Sequence, residues 1–257
     1  MKLLIIYMAM LMAFISEPDH TPYTSKALPD SPGADVRKPR LSRFVSGRDG
    51  GARSGELGLH GIDVSHHQGE IDWSVVARQA AAGFVYIKAT EGQNHIDTRY
   101  ARNVSEARRY GLKVGSYHFF RPNVPAGAQY KNFMQNISLK DQDLVPLIDV
   151  EDDGGLTIAA LQSRVLDFAR MLTKALDGRV PMIYTGMNFY NKFFAGNSQF
   201  VQYPFMIAQY NGVEPQLDHG DDYLIWQYTS KSYVPGIKGR VDQSCFRGGH
   251  TLGEIMR

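Results

Sequence analysis

The chain has 257 residues, 43% apolar and 21% charged, with 28 basic against 26 acidic side chains. That suits a soluble globular protein with one large core or two small ones, and the near-neutral balance leaves no basic field of the kind nucleic-acid binding requires. Cys245 is the only cysteine, which excludes an intramolecular disulfide and a cysteine-built metal site.

The N-terminus, "MKLLIIYMAMLMAFIS", has one lysine and then an apolar run from Leu3 to Ile15. It is shorter than the roughly 20 residues of a membrane span but fits the apolar region of a secretory leader. Residues 1–16 are therefore expected to be a signal peptide or, if uncleaved, an anchor, and the protein is expected to be exported to the periplasm, the envelope or outside the cell. Residues 17–58 are rich in proline, serine and glycine without apolar periodicity, the pattern of a disordered linker. The folded unit is expected over 59–257.

From there β-type runs alternate with helical ones. "HGIDVS" leads to "DWSVVARQAAAG", with Asp72 as N-cap and Gly83 as C-cap. "GFVYIKAT" leads to "TRYARNVSEARRYG", and "LKVGSYHFF" to "PAGAQYKNFMQNIS". "LVPLIDVE" precedes a long helix in which Ile158, Leu161, Val165, Phe168 and Leu172 recur at spacings of three and four. "VPMIYTG" is followed by a short "NFYNKFF", and then come "PFMIAQY", "DYLIWQYT" and "GRVDQ" with only loops between them. Five β-α units and three strands without helices predict an α/β, incomplete TIM-like barrel whose late strands are free to run antiparallel. An open doubly wound sheet is the other solution, but no glycine-rich phosphate loop follows any strand.

In parallel barrels chemistry sits at the C-terminal strand ends. Here these ends carry Asp63, Glu91, His118, Asp149 with Glu151, Tyr184, Gln209 with Tyr210, Gln227 and Asp242. Residues i and i+2 of a strand share a face, so Asp149 and Glu151 should stand together, and two close carboxylates cannot both ionise cheaply. One protonated acid beside one ionised carboxylate is the arrangement that glycoside cleavage uses. Alone, D-x-E is a weak signal, because Mg²⁺ or Mn²⁺ also takes such oxygen ligands. His66 and His67 offer little to a metal, since neighbours in a strand-like segment point to opposite faces; no metal and no cofactor is expected. Asp152 and Asp153 fall in the loop beyond, as solvated or capping residues.

With these motifs together, "HGIDVSHHQGEIDW", "FVYIKATEG", "GLKVGSYHFF", "PLIDVE", "MIYTG", "WQYT" and "GRVD", the sequence resembles glycoside hydrolase family 25, the Chalaropsis-type lysozymes or N-acetylmuramidases. The resemblance runs from Leu59 to about Phe246. It implies the same incomplete barrel and hydrolysis of the β-1,4 bond between N-acetylmuramic acid and N-acetylglucosamine in peptidoglycan. It also implies Glu151 as general acid/base and Asp149 as partner of the 2-acetamido group or of the developing positive charge. Asp63 and Asp242 complete the acidic ring; Glu91, Tyr117, Tyr184 and Tyr210 are candidate sugar contacts. The expected partner is the glycan strand, met by a monomer. Two departures from the family pattern, over three positions, bear on substrate positioning: Gln243 and Ser244 follow Asp242 where an apolar residue and asparagine are common, and Phe205 stands where tryptophan is common. A wall-binding module without turnover and a chitinase are the competing readings. Chitinases resemble one another through a longer D-x-x-D-x-D-x-E run, and that run is absent here, where Leu147 stands four residues before Glu151 and Val145 six before it.

Overall fold

The computed structural model describes residues 60–80 and 82–257. The expected leader and linker, residues 1–16 and 17–58, lie outside the described residues. Five strands each lead into a helix: β1 (His60–Val64) into α1 (Trp73–Gln79), β2 (Phe84–Glu91) by way of the two-residue β3 (His95–Ile96) into α2 (Tyr100–Arg109), and β4 (Lys113–Phe119) into α3 (Ala126–Asn136). β5 (Leu147–Asp149) leads into α4 (Ile158–Ala175), and β6 (Met182–Gly186) into α5 (Met187–Phe193). β7 (Phe205–Ala208), β8 (Ile225–Ser232) and β9 (Val241–Phe246) follow without α-helices between them. The strands run in the order β1-β9-β8-β7-β6-β5-β4-β2, and β2 pairs with β1 to close an eight-stranded barrel. β9 alone is antiparallel to both its barrel neighbours, as a strand that returns through a hairpin must be.

The two-residue period of the strands sorts the core into two parts. Val85, Ile87, Ile148, Ile183 and Ile207 face the helices and pack with Val104, Phe133, Leu161, Val165 and Phe168. Phe84, Tyr86, Leu147, Met182, Met206, Ile225 and Phe246 fill the barrel interior, and Leu144, Val145 and Ile255 pack with them. Two glycines make room for the aromatic rings inside. A Cβ on Gly61 would lie 2.2 Å from the Phe84 ring, and one on Gly115 would lie 2.4 Å from Tyr86.

Several local expectations change in the structure. Asp72 caps α1 through its bond from the Val75 amide, but the helix stops at Gln79, before Gly83. Ile158 begins the apolar spacing of α4 yet is 46% exposed, because the first helical turn projects beyond the sheet that buries Leu161, Val165, Phe168 and Leu172. His66 and His67 lie in a 3₁₀ turn, His66–Gln68, closed by a reciprocal Ser65–Gln68 capping box. Their rings are 4.0 Å apart, rather than on opposite faces of a strand. Among the described residues no group of three His, Cys, Asp or Glu side chains is placed to hold a metal ion.

Candidate active site

The alternation that fills the barrel with apolar side chains continues to its open end with polar ones. One inward step beyond Gly61, Tyr86, Gly115, Leu147, Met182 and Ile225 come Asp63, Lys88, Tyr117, Asp149, Tyr184 and Gln227. Register then sets neighbours: Asp63 stands opposite Asp242, Lys88 opposite Tyr117, and Asp149 opposite Tyr184.

β5 ends at Asp149, so Glu151 lies just past the hydrogen-bonded ladder. The pair expected from the i, i+2 spacing is nevertheless in contact. Asp149 is buried, with Oδ1 lacking any hydrogen-bond partner, whereas Glu151 remains open to solvent on the cleft wall. Burial, followed by the neighbouring Glu151 carboxylate, raises Asp149 well above the usual range, with Lys88 opposing. Desolvation among the cleft walls also raises Glu151, while its bond to Asp149 and the charges of Lys88 and Arg121 restrain it. Both carboxyls therefore hold a proton more readily than an ordinary carboxylate, the deeper Asp149 most of all.

Asp63 is pushed to about 8 by burial and by Asp242, although Gln227 Nε2 donates to its Oδ2 at 2.9 Å. Asp242 is raised to about 6 by burial and by the charge of Glu151. Gln227 Oε1 in turn accepts from Tyr184 at 2.8 Å and from Tyr210 at 2.5 Å. Burial, with the nearby carboxylates, holds Tyr117 and Tyr184 well above the ordinary phenol range, so both remain neutral donors. Tyr210 is half exposed and closes this side of the site.

The other candidates fall differently. Glu91 is committed to two cations: Lys88 Nζ lies 2.7 Å from Oε2, and the Arg121 guanidinium bonds Oε1. Burial works to raise Glu91, but Lys88 and Arg121 outweigh it and hold the carboxylate at about 2. His118 points away from the cleft, between sheet and helices. It stacks on Phe168 at 5.0 Å, bonds Thr90 and Gln129, and is lowered to about 4 by burial. Asp152 and Asp153 each accept from the amide two residues on, those of Gly154 and Gly155, both at positive φ. Of the carboxylates in "DVEDDGG", two thus serve the site and two shape the turn that follows it.

The sequence pattern did not single out Lys88, a buried lysine over the Phe119 ring at 5.0 Å. Its signal was available in "FVYIKATE", where a lysine occupies an inward position directly after Phe84 and Tyr86. Nor did it give Gln227 its central place between Asp63 and two tyrosines, which depends on contacts across 164 and 43 residues. The two departures from the family pattern lie off the acidic pair. Phe205 packs outward on Tyr190 and Phe194. Gln243 Oε1 accepts from Tyr228 and Ser232, bracing the base of the β8–β9 hairpin.

Comparison with known proteins agrees with this fold. A family model, Glycosyl hydrolases family 25, matches residues 62–237. The chain is 38% identical over 202 residues to the uncharacterized protein YegX of Escherichia coli K12, covering 77% of this chain and 72% of that protein. It is 35% identical over 203 residues to Lysozyme M1 of Streptomyces globisporus, covering 74% and 68%. In structure it is similar to the bacterial lysozyme from Streptomyces coelicolor, with TM-score 0.68 and 32% identity over 77% of this chain and 95% of that one.

Proposed function

The chain belongs to glycosyl hydrolases family 25, and on that premise we propose that it hydrolyses the β-1,4 bond between N-acetylmuramic acid and N-acetylglucosamine in peptidoglycan. The observation that carries this reading is the adjacent pair of Asp149 and Glu151, both raised by burial, in a cleft ringed by Asp63 and Asp242. Glu151, accessible to substrate, is the general acid/base. Asp149 Oδ1 is a buried acceptor without a donor, the complement of an acetamide N–H. A donor arriving there favours ionised Asp149, whose charge then raises Glu151 and keeps it protonated, where the glycosidic oxygen needs the proton. As the bond breaks, positive charge develops on the sugar, and the surrounding carboxylates favour that charge more than the neutral ground state. Attack comes from the substrate acetamide, positioned by Asp149, or directly from water or Asp149. The anomeric configuration of the first product separates retention from inversion.

The apolar run Leu3–Ile15 supports work outside the cytoplasm, where such a substrate is found. Digestion of purified peptidoglycan by the full chain, followed by borohydride reduction and mass spectrometry, tests the reading. New reduced muramic acid ends that disappear with Glu151→Gln are expected. Reduced glucosamine ends would transfer the reaction to the other glycosidic bond, and wall binding without products would leave a binding module.

A further inference from the structure

The β8–β9 hairpin carries positive charge that the acidic site does not use. Between Asp222 and Asp242 the chain has no acidic residue but has Lys231, Lys238 and Arg240. All three are exposed, and among the described residues none of them is in an ion pair. Lys238 lines a separate groove with Glu70 and Glu106. The other two form a unit with an aromatic ring. The Arg240 guanidinium lies 4.1 Å from the ring centroid of Tyr233, which is 70% exposed, and Arg240 Nη1 donates to the Lys231 carbonyl at 2.6 Å.

This unit is held in place. Gln68 Nε2 donates to the Arg240 carbonyl at 3.2 Å, and the Asp72 amide donates to the Gly236 carbonyl at 2.8 Å. Val234 and Ile237 anchor the hairpin by burial. Because β8 runs parallel to β7, the hairpin leaves the barrel at the same rim as Asp63 and Asp149, and Arg240 is two residues from Asp242. A fixed guanidinium, with the exposed Lys231 on the same hairpin and neither in an ion pair among the described residues, therefore borders a cleft floored by carboxylates.

We infer that Lys231, Tyr233 and Arg240 form a subsite for the peptide branch of the wall polymer, with the two cations taking a stem-peptide carboxylate. The inference rests on the peptidoglycan reading above. A substrate whose backbone is neutral sugar but whose branches are anionic is repelled by the acidic floor and attracted where positive charge stands unpaired. The open face of Tyr233, opposite the guanidinium, offers apolar contact to the same branch.

The test compares soluble peptide-bearing glycan oligomers with the same oligomers after conversion of their peptide carboxylates to methylamides. For the full chain, kcat/KM should favour the native oligomers. In Lys231→Gln/Arg240→Gln that preference should shrink about five- to tenfold, the effect of losing two partly screened ion pairs, and should act through KM. Arg240→Lys, which keeps the charge, should restore part of it. Equal losses on both substrates, or no change on either, would overturn the subsite. Should the wild type cleave neither substrate, the hydrolase reading fails by itself, and co-sedimentation with native against methylamidated sacculi decides the subsite separately. Retention on phosphatidylglycerol vesicles, lost in the double variant and without any preference among sacculi, would also overturn it, in favour of a membrane surface.

Discussion

Glu91 and the Asp149–Glu151 pair are both acids at the C-terminal ends of neighbouring parts of one sheet, and their electrostatics are opposite. Glu91 meets Lys88 and Arg121 and is held at about 2. Asp149 meets another carboxylate, is buried with an orphaned oxygen, and is raised. A satisfied carboxylate has little free energy to gain from a substrate, whereas an unsatisfied one gains as soon as a donor or a positive charge arrives. Lys88 stands between the two. It is paired with Glu91, but its charge still lowers both Asp149 and Glu151. Holding that lysine on Glu91 keeps it from neutralising the pair.

The largest effect should come from breaking the pair itself. Glu151→Gln should cost about 10³-fold in kcat, since it removes the transferable proton, while the thermal melt stays near wild type because Glu151 is solvent-accessible. Next comes the satisfied side. Glu91→Gln strips a buried lysine of its counter-ion and should cost about 2 kcal/mol in chemical denaturation. The freed Lys88 charge then acts on Asp149 and Glu151, so the alkaline limb of the kcat/KM profile should move to lower pH. An unmoved limb would break the link between the two regions.

Asp63→Asn should act in the opposite sense. The folded-state pKa of Asp63 is raised to about 8 from 3.8, so the stability associated with its proton is present below about pH 4 and lost as pH rises through 8. The variant should therefore gain several kcal/mol relative to wild type by pH 9 and nothing at pH 3, while losing activity. Melting curves across that range would show it. Tyr210→Phe is the mildest change. It removes one of two tyrosine bonds to Gln227 at a half-exposed site, so a stability loss under about 1 kcal/mol and a few-fold higher KM are expected.

Much of this was legible in the chain, and particular residues show the boundary. The α4 spacing from Leu161 to Leu172 specified the buried face, since a helix period of 3.6 residues acts within one element. Gln227 was visible as a polar strand end, but its bonds to Asp63, Tyr184 and Tyr210 exist only after the barrel closes. His118 looked like a rim residue because its strand ends there. The pleat turns it toward Phe168 and gives the cleft Tyr117 instead.

By itself the sequence determined the order of five β-α units and three bare strands, the inward alternation that ends in acids, and the turn built by Asp152, Asp153 and two glycines. All of these depend on neighbours within a few residues along the chain. The tertiary structure alone decided which of the rim acids would be neutralised and which left unpaired. A carboxylate's pKa depends on how deeply it is buried and which charges approach it, and here the burial of Asp149 and the approach of Arg121 to Glu91 come from parts of the chain outside their own strands. Lys88 pairs with Glu91 within β2, but the Arg121 bond to Glu91 and the burial that raises Asp149 appear only once the strands have assembled.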